Sequence, residues 1–136
     1  GLVAAACAGL LSGLYAFFVE PALRLRVQRW LGLHDLPRTL AQITDDAPVV
    51  LMAHEPDIFP EVPERVALTL SGHTHGGQVR LFGWSPVVPS RYGNRYAYGP
   101  VRESGRDLVV SGGLGCSILP VRLGVVPEIT VIEVSQ

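Results

Sequence analysis

Two short stretches of this sequence carry side chains able to do chemistry. The stronger is Ser71-Gly72-His73-Thr74-His75-Gly76-Gly77-Gln78, directly after an apolar run. Neutral imidazole is a good ligand for zinc, iron or manganese-type cations. In an extended segment the side chains at i and i+2 point the same way, so His73 and His75 are predicted to present two imidazoles on one side. The flanking glycines permit tight bends and close approach of a ligand or metal ion. The second stretch is Ala53-His54-Glu55-Pro56-Asp57, where His54 falls just past an apolar segment. Strand ends are where α/β folds build their sites, so three histidines at the ends of neighbouring strands can converge on metal. The plain alternative for each is a hydrogen-bonded loop residue.

Other candidates are weaker. Arg80, Arg91 and Arg95 can clamp a phosphate, or simply sit solvated on the surface. Gly112-Gly113-Leu114-Gly115 has the glycines of a phosphate loop without its Lys-Ser/Thr ending. His34 reads as a residue at a helix start, with Asp35 as the cap. Cys7 and Cys116 lie far apart in the sequence and form no C-x-x-C pair, so neither a redox motif nor a zinc knuckle is supported.

The elements that must position these residues follow from periodicity. Asp35 to Ile43 places Leu36, Leu40 and Ile43 on one helical face, with Pro37 tolerated in the first turn. Val49 to Ala53 is a continuous apolar run, predicted to be a buried strand. Glu55 to Glu64 holds Pro56, Pro60 and Pro63 and is predicted to be mostly loop. Val66 to Leu70 is a second strand. Arg91 to Tyr98 is predicted to be a hairpin turning at Gly93-Asn94. Leu108 to Ser111 and Ile129 to Val134 complete the strands, with one sheet face poorly covered because helix-forming segments are so few.

Gly1 to Val19 is apolar over 19 residues without one charge, and Glu20-Pro21 closes it. As a helix it spans about 28 Å, close to the hydrocarbon core of a bilayer. Tyr15, Phe17 and Phe18 sit near one end as interfacial residues do. A membrane anchor is the expectation, with a signal peptide or a buried core helix as the competing readings. Arg24, Arg26 and Arg29 follow it, which by the positive-inside rule sets the soluble part on the cytoplasmic side. The 136 residues as a whole carry 11 Arg, no Lys and 12 acidic residues, a formal charge of −1. That balance excludes an electrostatic nucleic-acid binder, which needs a concentrated basic face. With 48% apolar residues, 17% charged and a mean hydropathy of +0.31, global disorder is excluded too.

In the order LMAHEPDIFP, LTLSGHTHGGQVRL, PVVPSRYGNRYAYG, VVSGGLGCSILPVRLGVVPEITVIEV, the chain resembles the C-terminal half of a bacterial calcineurin-like metallophosphoesterase. Together with the apolar start, it is most similar to the membrane-anchored branch of that superfamily. The resemblance covers roughly residues 31–136 and gives two parts: an anchor helix with an Arg-rich juxtamembrane segment, 1–30, and half of a phosphoesterase domain, 31–136. It implies an α/β fold, part of a four-layer α-β-β-α sandwich and mainly its second sheet. It implies a hydrolase that acts on phosphoesters, including lipid-linked ones, through two divalent ions (Mn, Fe or Zn) and a water or hydroxide between them. His54 and His73 are implied to ligate one ion and His75 the other.

The chain also departs from that family. An Asp-x-His pair, a motif whose Asp bridges the metals, and a Gly-Asn-His motif belong between the anchor and Asp35, where Trp30 is followed almost directly by Gly32-Leu33-His34-Asp35. Gly93-Asn94-Arg95 lacks the His and lies after the histidine motifs. A binuclear site needs a bridging carboxylate to hold two cations about 3.5–4 Å apart. The sequence therefore leaves two functional classes open. One is a metal-dependent phosphoesterase, and the other is a catalytically inactive membrane-anchored remnant that binds at most one metal ion.

Overall fold

The computed structural model describes residues 35–133. The predicted anchor helix, the Arg24–Arg26–Arg29 cluster, His34 and Cys7 lie outside the described residues. The chain divides into two compact units, Gly1–Ala47 and Pro48–Gln136. Within the first, the helix α1 spans Leu36–Leu40. Asp35 caps it by accepting a hydrogen bond from the Arg38 N–H at 3.0 Å, and Pro37 stands in the first turn, where it costs no helical hydrogen bond. Among the described residues no helix is long and apolar enough to cross a membrane.

The second unit is built on a mixed four-stranded sheet, so the class is α/β. In chain order the strands are β1 (Val49–Met52), β2 (Val66–Ser71), β3 (Gly99–Glu103) and β4 (Arg106–Val110). Their spatial order is β1-β2-β4-β3. The pairs β1/β2 and β2/β4 are parallel, while β3/β4 is an antiparallel hairpin. Its turn is Ser104-Gly105, both at positive φ, as a tight two-residue connection requires. Three parallel strands thus end at one edge. The ladder continues past them there, with the Gly72 N–H donating to the His54 carbonyl at 3.2 Å and the Ser111 N–H to the Ser71 carbonyl at 2.9 Å.

Register sorts the residues onto two unequal faces. Thr69 and Ser71 lie opposite Leu108 and Val110, and all four are buried. On the other face Val50 is 49% and Met52 82% exposed. The predicted buried β1 is therefore a half-exposed edge strand, half-buried and exposed residues alternating along it. Three further expectations are corrected. Pro56–Glu61 is a 3₁₀ helix rather than loop; it brings Phe59, fully buried, under the sheet. Arg91 to Tyr98 is not a hairpin: Gly93–Tyr96 is a 3₁₀ turn, held because the Asn94 side chain exchanges two hydrogen bonds with the Ser85 backbone, at 2.8 and 2.7 Å. Residues 129–133 form no strand, since a β-branched run needs a partner edge as well as propensity.

The core gathers around two aromatic rings. Phe59 and Tyr96 meet edge to face, 5.7 Å between centroids. The Arg106 guanidinium stacks over Phe59 at 5.2 Å and donates to the carbonyls of Phe59 and Val62. It satisfies the end of the 3₁₀ helix from strand β4. Asp57 closes the other side: its carboxylate accepts from the Ser90 hydroxyl at 2.5 Å and the Arg91 N–H at 2.9 Å.

Candidate metal centre

His54 leaves the end of β1 and His73 the end of β2, so the parallel pairing of these strands sets the two side by side. Nδ1 of His73 faces Nε2 of His54 at 3.1 Å, the rings 4.8 Å apart between centroids and inclined at 63°. The backbone that delivers them is not extended. His73 has φ 68° and His75 φ 51°, both left-handed, and His75–Gly77 is a 3₁₀ turn. The same-side argument from strand geometry therefore fails. What fixes the loop is Thr74, buried between the two histidines, whose hydroxyl donates to the Ala97 carbonyl at 2.7 Å.

Two of the flanking glycines, Gly76 and Gly77, are required by the chain's own packing. A Cβ on Gly76 would stand 2.7 Å from Val125 Cγ1, and one on Gly77 2.5 Å from the Ser85 side chain. Both also have positive φ, so side chains are excluded on two counts.

The His54–His73 contact is a hydrogen bond between ring nitrogens, and its length is also compatible with a shared cation once the bridging proton is lost. Two nitrogens bound to one metal at about 2.1 Å stand roughly 3.0–3.4 Å apart in octahedral or tetrahedral geometry, and the observed separation falls in that range. Nε2 of His73, the nitrogen turned away from His54, is buried and without a hydrogen-bond partner, which costs free energy whether or not Nδ1 is engaged. Burial pushes the His73 pKa down, and the neighbouring His54 works in the same direction against the raising influence of Glu55. The neutral ring that results is the ligating form. His75 acts on His73 electrostatically, and its Cε1 lies 4.0 Å from where a Gly115 Cβ would stand. Among the described residues no group of three or more His, Cys, Asp and Glu side chains is arranged to hold a metal ion. His75 and the pair do not form such a group.

The arginines separate by partner. Arg91 is engaged by Asp57 and Arg95 by Glu103, the latter through two hydrogen bonds of 2.9 and 2.8 Å, so neither guanidinium is held in reserve for a phosphate. Arg80 stacks over Tyr98 at 5.6 Å, and its Nη1 is buried without a partner. The Gly112–Gly115 loop is organised by residues the motif reading missed. Glu128 accepts from the Tyr98 hydroxyl at 2.5 Å and the Gly112 N–H at 2.9 Å, bonds that hold its carboxyl below the usual range. Arg122 donates to the Gly112 and Gly115 carbonyls. No local pattern signals these links, because Glu128 lies 30 residues from Tyr98.

Curated relatives share this stretch. A protein named metallophosphoesterase YkuE in Bacillus subtilis (strain 168) is 39% identical over 102 residues, covering 74% of this chain and 36% of its own length. A metallophosphoesterase of Helicobacter pylori (strain ATCC 700392 / 26695) is 30% identical over 115 residues, 82% of this chain and 28% of its own. A transmembrane protein with metallophosphoesterase domain from Danio rerio is 30% identical over 106 residues, 75% and 23% respectively. No family model and no solved structure matches. Relatives from bacteria and animals that align over the histidine loops define the class, and the chain belongs to the calcineurin-like metallophosphoesterase superfamily. It spans about a third of the length of the curated relatives it matches.

Proposed function

We propose that this chain supplies the imidazole side of the metal centre of a metal-dependent phosphoesterase, a hydrolase of phosphoesters. The observation that carries the reading is the pair of facing nitrogens, His73 Nδ1 and His54 Nε2, 3.1 Å apart. In this reading His54 and His73 hold one divalent cation of the Mn, Fe or Zn type, and His75 serves a second where a bridging carboxylate is present. A bound divalent cation supplies Lewis acidity, polarising a phosphoryl oxygen and lowering the pKa of water. The chain's own contributions are positional. Thr74 fixes the loop between the histidines, burial keeps His73 neutral, and Glu55 gives the pair a nearby negative charge. The described strands correspond to the second sheet of the four-layer α-β-β-α sandwich. Residues 1–30 act as an anchor, holding 31–136 at a membrane on its cytoplasmic side, and a lipid-linked phosphoester is the substrate class that placement favours.

A second reading is supported by the absence, among the described residues, of any carboxylate grouped with the histidines for metal binding. On that reading the chain binds at most one ion and turns over poorly. One experiment separates the two. The purified chain is titrated with manganese and zinc by calorimetry and assayed on an aryl phosphodiester, beside His73→Ala. Binding lost in the variant, with weak or no hydrolysis by either protein, favours the one-ion reading. Robust turnover abolished by His73→Ala sinks it. Equal binding by both proteins removes His73 from the centre.

A further inference from the structure

We propose that Arg122 and Glu128 are positioning residues for His75, setting its imidazole from two sides without touching it. The proposal rests on the reading of His75 as a metal ligand and adds what holds that ligand in place. Residues 111–133 form no helix or strand, so their path is fixed by contacts rather than by a ladder. Within them the stretch 122–128 packs onto the turn His75–Gly77. Val125 is buried, and a Cβ on Gly76 would stand 2.7 Å from its Cγ1.

Glu128 sets one side. A Cβ on Gly76 would also stand 3.2 Å from Tyr98 Cδ2, and one on Gly112 3.0 Å from Tyr98 Cε2. The Tyr98 ring is therefore wedged between the residue that follows His75 and the loop beyond β4. Glu128 locks this wedge with both carboxylate oxygens. One accepts from the Tyr98 hydroxyl at 2.5 Å and the other from the Gly112 N–H at 2.9 Å. Arg80 stacks over the same ring.

Arg122 sets the other side. The His75 ring borders Gly115, where a Cβ would stand 4.0 Å from His75 Cε1. Arg122 ties that residue down: its Nε donates to the Gly115 carbonyl at 2.9 Å, and its Nη2 to the carbonyls of Gly115 and Gly112. Nη1 reaches the Val126 carbonyl at 3.4 Å. Lysine cannot copy this use of the planar fork. Among the described residues no ring faces His75 as His54 faces His73, so the seat of the turn and the loop beside it set its orientation. A ligand imidazole must stand within about 0.5 Å of its productive place. Partners that orient a ligand from outside are worth about 10–100-fold in metal affinity.

The test follows the His75 ring in the metal-free full chain by NMR. Wild type should show a cross-peak between His75 Hε1 and the Gly115 α-protons, with side-chain couplings of a single rotamer. Arg122→Lys keeps the charge without the fork, and Glu128→Ala removes both acceptors. Each should lose the cross-peak and average the His75 couplings. Those of His54 and His73 should stay as in wild type, since these rings orient each other. A His75 ring that stays fixed in both variants overturns the proposal. So does loss of orientation at His73 together with His75, which is a general loosening of the fold. Where Glu128→Ala fails to fold, Arg122→Lys alone decides. No metal enters the measurement, so its outcome stands apart from the zinc titration of His73→Ala that tests the underlying reading.

Discussion

Asp57 and His73 are both polar side chains enclosed near the carboxyl ends of parallel strands, and they are treated in opposite ways. The Asp57 carboxylate is 3% exposed as a residue and has both oxygens engaged, by the Ser90 hydroxyl and the Arg91 backbone N–H. The Arg91 guanidinium returns a bond to the Asp57 carbonyl at 3.1 Å. Every hydrogen-bonding need in that knot is met within the chain. His73 faces another histidine on one edge and nothing on the other. A saturated polar group holds a fold together, whereas an unsaturated one held in place by its neighbours is free to bind. The difference lies in the partners as well as in burial, for Asp57 is buried and His73 half-buried.

This contrast can be broken in several ways. The largest expected effect is on stability: Asp57→Ala should cost about 3 kcal/mol in denaturant unfolding, because it strands Ser90 and the Arg91 N–H in a part-buried site. A loss under about 1 kcal/mol would mean the knot is dispensable. His73→Ala should cost less in unfolding than Asp57→Ala, since it removes one hydrogen bond, to His54, together with a buried nitrogen that has no partner. It should weaken zinc or manganese binding about 100-fold, read by calorimetry, as expected for a lost ligand. If the stability falls and the affinity does not, the roles given to the two residues are exchanged.

A smaller effect tests a third polar contact. Burial, reinforced by a 2.8 Å hydrogen bond to Glu103, pushes the Tyr96 phenol up to about 12. The raised value favours the protonated form in the folded state. Its contribution is therefore fully present below the unfolded value near 10 and is lost as pH rises through 12. Wild type should lose on the order of 1–2 kcal/mol across that window, and Tyr96→Phe should lack this component of alkaline unfolding. Smallest of all, Arg102→Ala breaks an exposed pair with Asp107 and should leave Tm unmoved within error. A clear drop there would show that surface pairs matter more in this chain than the Asp57 knot suggests.

Much of the sheet was legible because β1, β2 and β4 are apolar runs bounded by Pro, Gly or charge. β3 was not, since Gly99-Pro100 and Arg102-Glu103 read as a turn and a charged patch. It is a strand only because β4 offers it an edge five residues long in register. The aromatic segment around Gly93 misled for the converse reason. Its conformation is decided by Asn94 reaching nine residues back to Ser85, a contact no local pattern encodes. At the site, residue types gave the histidines, and strand order explains why His54 meets His73. The left-handed backbone at His73 and His75 was hidden, because non-glycine residues adopt it only when packing demands it, and here the buried Thr74 between them is tied to the Ala97 carbonyl.

The parallel pairing that sets His54 beside His73 also has a consequence for the order of folding. The β3–β4 hairpin closes over two residues and carries little loop entropy, so it can form early. The β1/β2 and β2/β4 pairings join segments much farther apart in the chain, Val49 with Val66 and Thr69 with Leu108. Non-local pairings of that kind close slowly. His54 and His73 face one another only once β1 has zipped onto β2, and the Gly112 loop joins the same edge only after β4 has docked. Metal affinity should therefore appear only after β1 has paired with β2, later than the β3–β4 hairpin. A dye reporting zinc capture in stopped flow would lag the far-ultraviolet signal.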